Sequence, residues 1–191
     1  MKGLIIFSNG MEDNEALSTL ALLRRAGMHV DSVTKEIDLF VKTGFGVTVK
    51  ADYHLNEVKI SNYQFLIIPG GGYVAKVIDQ ADYIYDLIKE FRKEDKDIYA
   101  ICAAPRFLGR LGLLDNLDFT AFPGSEKDAK LGHYLASKKV VVTHKIITAR
   151  SAGAVIDFVY QIIKKNQDEA LSKSLINNIM YWFLQIKKNV I

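Results

Sequence analysis

Asp97-Ile98-Tyr99-Ala100-Ile101-Cys102-Ala103-Ala104-Pro105 is an apolar run that reads as a short buried strand and closes on the only cysteine of the chain. Pro105 ends it, because proline has no N–H for a further ladder bond yet fits the first turn of a helix. Cys102 is therefore expected on a sharp strand-to-helix turn. Such a turn lifts a side chain clear of the sheet and aims the unpaired N–H groups of the helix start at it, as in a nucleophile elbow. Those groups and the positive helix end favour thiolate over thiol, so the sulfur is expected to titrate below the ordinary cysteine value of about 8.5. The plain alternative is a buried, inert cysteine, since free Cys is among the most buried residue types.

Outward from this stretch the chain alternates strands and helices. Phe65-Leu66-Ile67-Ile68 is wholly apolar, as for a strand covered on both faces, and runs into Pro69-Gly70-Gly71-Gly72. Between the two strands, 81–94 is an amphipathic helix with Ile84, Leu87, Ile88 and Phe91 on one face. Earlier, a strand over 4–7 and the turn Ser8-Asn9-Gly10 lead to a helix that begins near Glu12-Asp13-Asn14-Glu15 and carries Leu17, Leu20, Leu22 and Leu23. Arg24-Arg25-Ala26-Gly27 closes it, and 29–34 is a second strand. Strand, helix and strand at this spacing make a βαβ unit, hence a parallel sheet. Runs at 39–42 and 47–50 suggest a hairpin added to that sheet. Beyond the elbow the pattern predicts a helix over 104–111, short strands over 119–122, 140–142 and 146–148, and a helix over 153–165.

The expected fold is thus α/β, a three-layer α/β/α flavodoxin-like sandwich with a mostly parallel sheet, spanning 1–167 as one domain. Residues 168–191 read as a C-terminal helical extension, with Leu175, Ile176, Ile179, Phe183, Ile186 and Val190 on one face. The extension is expected to pack on the same domain; a subunit contact or partner-binding helix is the alternative.

Composition narrows the function classes. A formal net charge of +3, with lysine pairs scattered at 138–139, 164–165 and 187–188, gives no basic stripe, so nucleic acid is not an expected partner. The opening apolar run ends after four residues, too short for a signal core or a bilayer span, and no membrane is expected. One cysteine forms no internal disulfide, and together with the short opening run this makes a cytoplasmic location the expectation.

In an open α/β sheet the site lies beyond the carboxyl ends of the strands. Three loops there carry chemistry: Glu12 and Glu15, the glycine run, and Cys102. A glycine run after a buried strand lets N–H groups point into a cavity, so the N–H groups of Gly71 and Ala103 can hold a carbonyl oxygen beside the sulfur, with Gly70 bringing the backbone close. A flexible turn is the alternative. The run fits neither G-x-G-x-x-G nor a Walker loop, so no nucleotide cofactor is expected, and no metal. Glu15 beside the thiolate is expected to have a raised pKa and to relay a proton. Glu12 fits better as a solvated side chain that compensates the helix dipole.

Asn9-Gly10-Met11-Glu12-Asp13-Asn14-Glu15, Ile68-Pro69-Gly70-Gly71, Ala100-Ile101-Cys102-Ala103-Ala104-Pro105 and Ala149-Arg150-Ser151-Ala152-Gly153 together resemble, in order and spacing, the ThiJ/PfpI superfamily, and its deglycase branch most of all. The resemblance covers roughly residues 1–165. It implies a flavodoxin-like homodimer with Cys102 as nucleophile, Glu15 as the protonated acid, and Gly71 and Ala103 as oxyanion donors. It also implies cofactor-independent glyoxalase or deglycase activity on a small reactive aldehyde or glycated substrate, with cysteine-based oxidative-stress sensing or chaperone behaviour as the alternative. Ala103 stands where the protease branch has histidine, so a Cys-His peptidase is not implied; Phe122 stands before Pro123 where the deglycase branch often has histidine. His133 and His144 are expected at the surface or in structural roles.

Overall fold

The computed structural model describes residues 1–181. Its centre is a seven-stranded sheet built from β1 (Lys2–Ile6), β2 (His29–Thr34), β5 (Tyr53–His54), β6 (Phe65–Ile68), β7 (Asp97–Ile101), β10 (Val140–Val142) and β11 (Ile146–Ala149). The spatial order is β10-β11-β7-β6-β1-β2-β5, parallel throughout except for β10, which runs antiparallel to β11. Every residue of β6 is buried and so are Leu4, Ile5 and Ile6, because helices cover both faces. On one face lie α1 (Thr19–Arg25), α5 (Val155–Asn166) and α6 (Glu169–Asn178); on the other lie α3 (Asp82–Lys93) and α4 (Pro105–Arg110), which meet edge to face through Tyr85 and Phe107. The expected three-layer sandwich is the one observed.

The small elements depart most from expectation. β3 (Phe40–Lys42) and β4 (Thr48–Lys50) pair as the expected hairpin but form a separate sheet. The strand expected over 119–122 shrinks to β8 (Asp118–Phe119), paired with β9 (His133–Tyr134), because the Phe122 N–H is drawn away to the Cys102 carbonyl at 2.8 Å. The first helix opens with a π-wound turn at Asn14–Ser18 before α1 begins. A short helix after the glycines, α2 (Tyr73–Val77), was not expected.

The extension does not continue as one helix from 168. Asp168 caps α6 by accepting the Leu171 N–H at 2.7 Å, and the helix ends before Met180, whose φ of 56° is left-handed. Leu175 and Ile176 are buried and α6 packs on α5. Phe183, Ile186 and Val190 lie outside the described residues. Among the described residues no helix is long and apolar enough to cross a membrane.

The layer under α5 is sealed by Phe158, Val159, Ile162 and Ile163, all fully buried. Phe158→Ala is expected to cost about 3–5 kcal/mol through lost burial and the cavity left behind, read as a lower urea midpoint at unchanged slope.

Candidate active site

The order of the sheet reverses between β1 and β6, and ligand crevices form outside the strand ends at such a point. The loops after β1, β6 and β7 meet there, and they bring together Glu15, Gly70, Gly71, Cys102 and Ala103.

Cys102 occupies the elbow with φ 64°, a left-handed conformation that costs a non-glycine residue about 1–2 kcal/mol. Its backbone is fixed at both ends: the N–H donates to the Ala149 carbonyl at 2.8 Å, and the carbonyl accepts from the Phe122 N–H at 2.8 Å. Pro105 opens α4 as expected. The N–H groups of Ala103 and Gly71 both act on the sulfur.

Glu15 is buried, 1% exposed, in the π-wound turn. Its Oε2 accepts the Gly70 N–H at 3.0 Å, while Oε1 is buried with no hydrogen-bond partner among the described residues. The Cys102 thiol and the Ala152 N–H act on this carboxyl. Burial lifts its pKa from the ordinary 4.5 to about 7, with the Glu12 charge adding to the rise and the thiol and the N–H donors offsetting part of it.

The thiol corrects one expectation. Burial pushes Cys102 above the ordinary cysteine range, and the Glu15 charge beside it pushes the same way; the Ala103 and Gly71 N–H groups pull down only in part. Desolvation here outweighs the helix end, because α4 has only six residues and the sulfur is partly enclosed. The carboxyl, and not the thiol, therefore gives up the first proton of the pair.

Two glycines are required by contact. A Cβ on Gly70 would lie 2.7 Å from the Cβ of Cys102 and 2.8 Å from Glu15 Oε2. Gly71 has φ 118°, and a Cβ there would lie 2.5 Å from the Glu12 nitrogen. Gly71 also lines an open cleft of about 760 Å³ with Asn9, Glu12, Lys42, Phe45 and Lys76.

Glu12 compensates the helix start as expected, accepting the Glu15 N–H, but its side chain is half-buried rather than fully solvated. Ala152 was also missed as a site residue, although its motif had been singled out in the sequence; a backbone donor leaves no mark in residue type. His133 and His144 are exposed, as expected, with His133 Nδ1 3.5 Å from Asp118, and neither belongs to the site. Phe122 is 49% exposed and reaches Cys102 through its backbone.

Fold and site define an α/β sandwich with a strained cysteine elbow and a buried acid at the switch point of its sheet. The chain belongs to the DJ-1/PfpI family, whose model matches residues 1–165. It is 27% identical over 179 residues to Protein DJ-1 homolog A of Arabidopsis thaliana, covering 91% of this chain and 46% of that one, so it spans about half the length of that relative. To Protein dj-1beta of Drosophila melanogaster it is 26% identical over 178 residues, covering 91% of this chain and 95% of that one. Among solved structures, oxidized Toxoplasma gondii DJ-1 matches with a TM-score of 0.85 at 28% identity, over 95% of this chain and 99% of that one. The resemblance to the ThiJ/PfpI superfamily is borne out.

Proposed function

We propose that the protein is a cofactor-independent enzyme of the glyoxalase or deglycase type, acting on small reactive aldehydes or the adducts they form. The observation that carries this reading is the buried Glu15 carboxyl at the side of Cys102, with a pKa of about 7 and one oxygen without a hydrogen-bond partner among the described residues. A base serves best when its pKa lies near the working pH. Glu15 takes the thiol proton as sulfur bonds to the aldehyde carbon, and the oxygen that gains the electron pair is held by the Gly71 and Ala103 N–H groups. Glu15 then returns that proton to the oxygen, giving a hemithioacetal.

With a 2-oxoaldehyde, Glu15 next removes the proton on the sulfur-bearing carbon and delivers it to the adjacent carbonyl carbon, while the hemithioacetal hydroxyl gives its proton to the adjacent carbonyl oxygen. One carbon is oxidised and the other reduced, and the product is a thioester. Water cleaves it to the 2-hydroxy acid and restores the thiol. The test is conversion of methylglyoxal to lactate without glutathione; no turnover at high protein concentration overturns the reading. We place the enzyme in the cytoplasm as a homodimer. The exposed Phe40, Phe45 and Val47 of the hairpin support a subunit contact, and sedimentation at two protein concentrations checks it.

The relative solved in oxidized form favours a second reading, a peroxide sensor. Two peroxides would convert the thiol to sulfinate with release of two waters, and the Ala103 and Gly71 N–H groups would hold the new oxygens. Mass spectrometry after mild peroxide should then find two added oxygens on Cys102 alone. A chaperone role without turnover would survive Cys102→Ala in an aggregation assay.

A further inference from the structure

The first turn of a helix leaves backbone N–H groups without ladder partners, and a capping side chain ordinarily supplies the acceptor. Asp13, in the cap position, makes no such bond. Its carboxylate is taken by the β3–β4 hairpin, where it accepts from the Thr43 hydroxyl at 2.5 Å and the Phe45 N–H at 3.0 Å. Glu12 supplies the missing acceptor: its Oε2 takes the Glu15 N–H at 2.6 Å. The Glu12 N–H in turn donates to the Gly70 carbonyl at 2.9 Å, and the Gly70 N–H donates to the Glu15 carboxyl at 3.0 Å. Glu12, Glu15 and Gly70 thus close a hydrogen-bonded ring between the helix start and the glycine loop. Gly71 sits against the same ring, its α-carbon face pressed on the Glu12 nitrogen.

We infer that Glu12 is a positioning residue for the cysteine site: its carboxylate fixes the helix start that holds the Glu15 acid beside Cys102, and it is the neighbouring negative charge that Glu15 meets when it takes the thiol proton. The inference rests on the Cys102–Glu15 pairing proposed above, and on no particular aldehyde.

Charge and geometry act separately in this arrangement. The ionisable groups that face Glu15 are Cys102 from the β7–α4 turn, Tyr73 from α2 and Glu12 itself. Lys42 from β3 and Lys76 from α2 share the cleft with Glu12. Tyr73 stays neutral, because burial pushes its hydroxyl far above the ordinary range. Glu12 is therefore the negative charge against which Glu15 ionises, and removing it should make ionisation easier.

Alkylation of Cys102 by iodoacetamide against pH tests this without any substrate. Below the pH at which the thiol itself ionises, the wild-type rate should rise with a midpoint near the Glu15 pKa to a plateau, because ionised Glu15 takes the thiol proton as sulfur bonds to carbon. Glu12→Gln keeps an oxygen for the Glu15 N–H and loses the charge, so the midpoint should fall by about one pH unit. Below the midpoint the variant then reacts about tenfold faster than wild type. Glu12→Asp keeps the charge but is too short to reach the N–H; its midpoint should stay while its plateau rate falls severalfold. An unmoved or raised midpoint in Glu12→Gln, or a wild-type plateau in Glu12→Asp, overturns the inference; if one variant does not fold, the other decides. Glu15→Gln separates the two levels of the claim. If it keeps the wild-type profile, the Cys102–Glu15 pairing itself fails; if it loses the neutral midpoint while Glu12→Gln is unchanged, only the role of Glu12 fails.

Discussion

Cys102→Ser is expected to cut aldehyde turnover by about three orders of magnitude or more, and Gly70→Ala to come within about tenfold of that loss although the sulfur is still present. The serine effect follows from acidity: a carboxyl with a pKa of about 7 accepts a thiol proton far more readily than a hydroxyl proton. The alanine effect follows from space. A methyl on Gly70 would lie 2.7 Å from the Cys102 Cβ, 2.7 Å from the Ile101 carbonyl oxygen and 2.8 Å from Glu15 Oε2. The Ile101 oxygen belongs to a strand paired on both sides, so it does not yield. The elbow and the Glu15 carboxyl must part instead, and the Gly70 N–H loses its acceptor. Lactate formation and Cys102 alkylation should fall together in Gly70→Ala while its far-ultraviolet circular dichroism stays native. Wild-type turnover in that variant would mean that the acid and the thiol act without touching.

The architecture was legible because its strands carry one message at every level. Phe65–Ile68 is apolar without interruption, is wholly buried, and lies in the middle of the sheet. The elbow was legible for a similar reason, since Pro105 both ends a strand and starts a helix. Elements held by a few remote bonds were not. β8 and β9 pair over two residues each, and no period can declare itself over so short a run. The acidity of Cys102 was misread because a sequence shows the helix end and hides how much protein closes over the sulfur. Glu12 and Glu15 are both acids at one helix start, and the sequence separates the buried one from the dipole-compensating one but hides the bond by which Glu12 accepts the Glu15 N–H. The Ala152 donor is a backbone group, silent in residue type. The motifs name residues that the fold brings together, and the raised pKa of Glu15 was expected; the enclosure that lifts the thiol was not.

That burial of Glu15 has a cost in stability, and Glu15→Gln is expected to stabilise the protein at pH 8 by about 3 kcal/mol while changing little at pH 4.5. Glu15 titrates at about 7 in the folded chain and at the ordinary 4.5 when unfolded. Between those values the folded state keeps a proton that the unfolded state has released. Raising the pH therefore favours unfolding, by about 1.4 kcal/mol per pH unit. The stability tied to neutral Glu15 is complete below pH 4.5, declines as pH rises, and is gone above pH 7. Glutamine has no proton to lose, and its amide oxygen still accepts the Gly70 N–H, so the variant lacks this decline. Asp52 and Asp128 act in the opposite direction, since both are held below the ordinary carboxylate range, but they titrate alike in the two proteins and cancel in the difference. Urea unfolding of wild type and variant at half-unit steps from pH 4.5 to 8 gives that difference directly. Two curves that stay parallel across the range would mean that the Glu15 carboxyl is reached by water in the folded protein, and with that the proton relay would lose its physical basis.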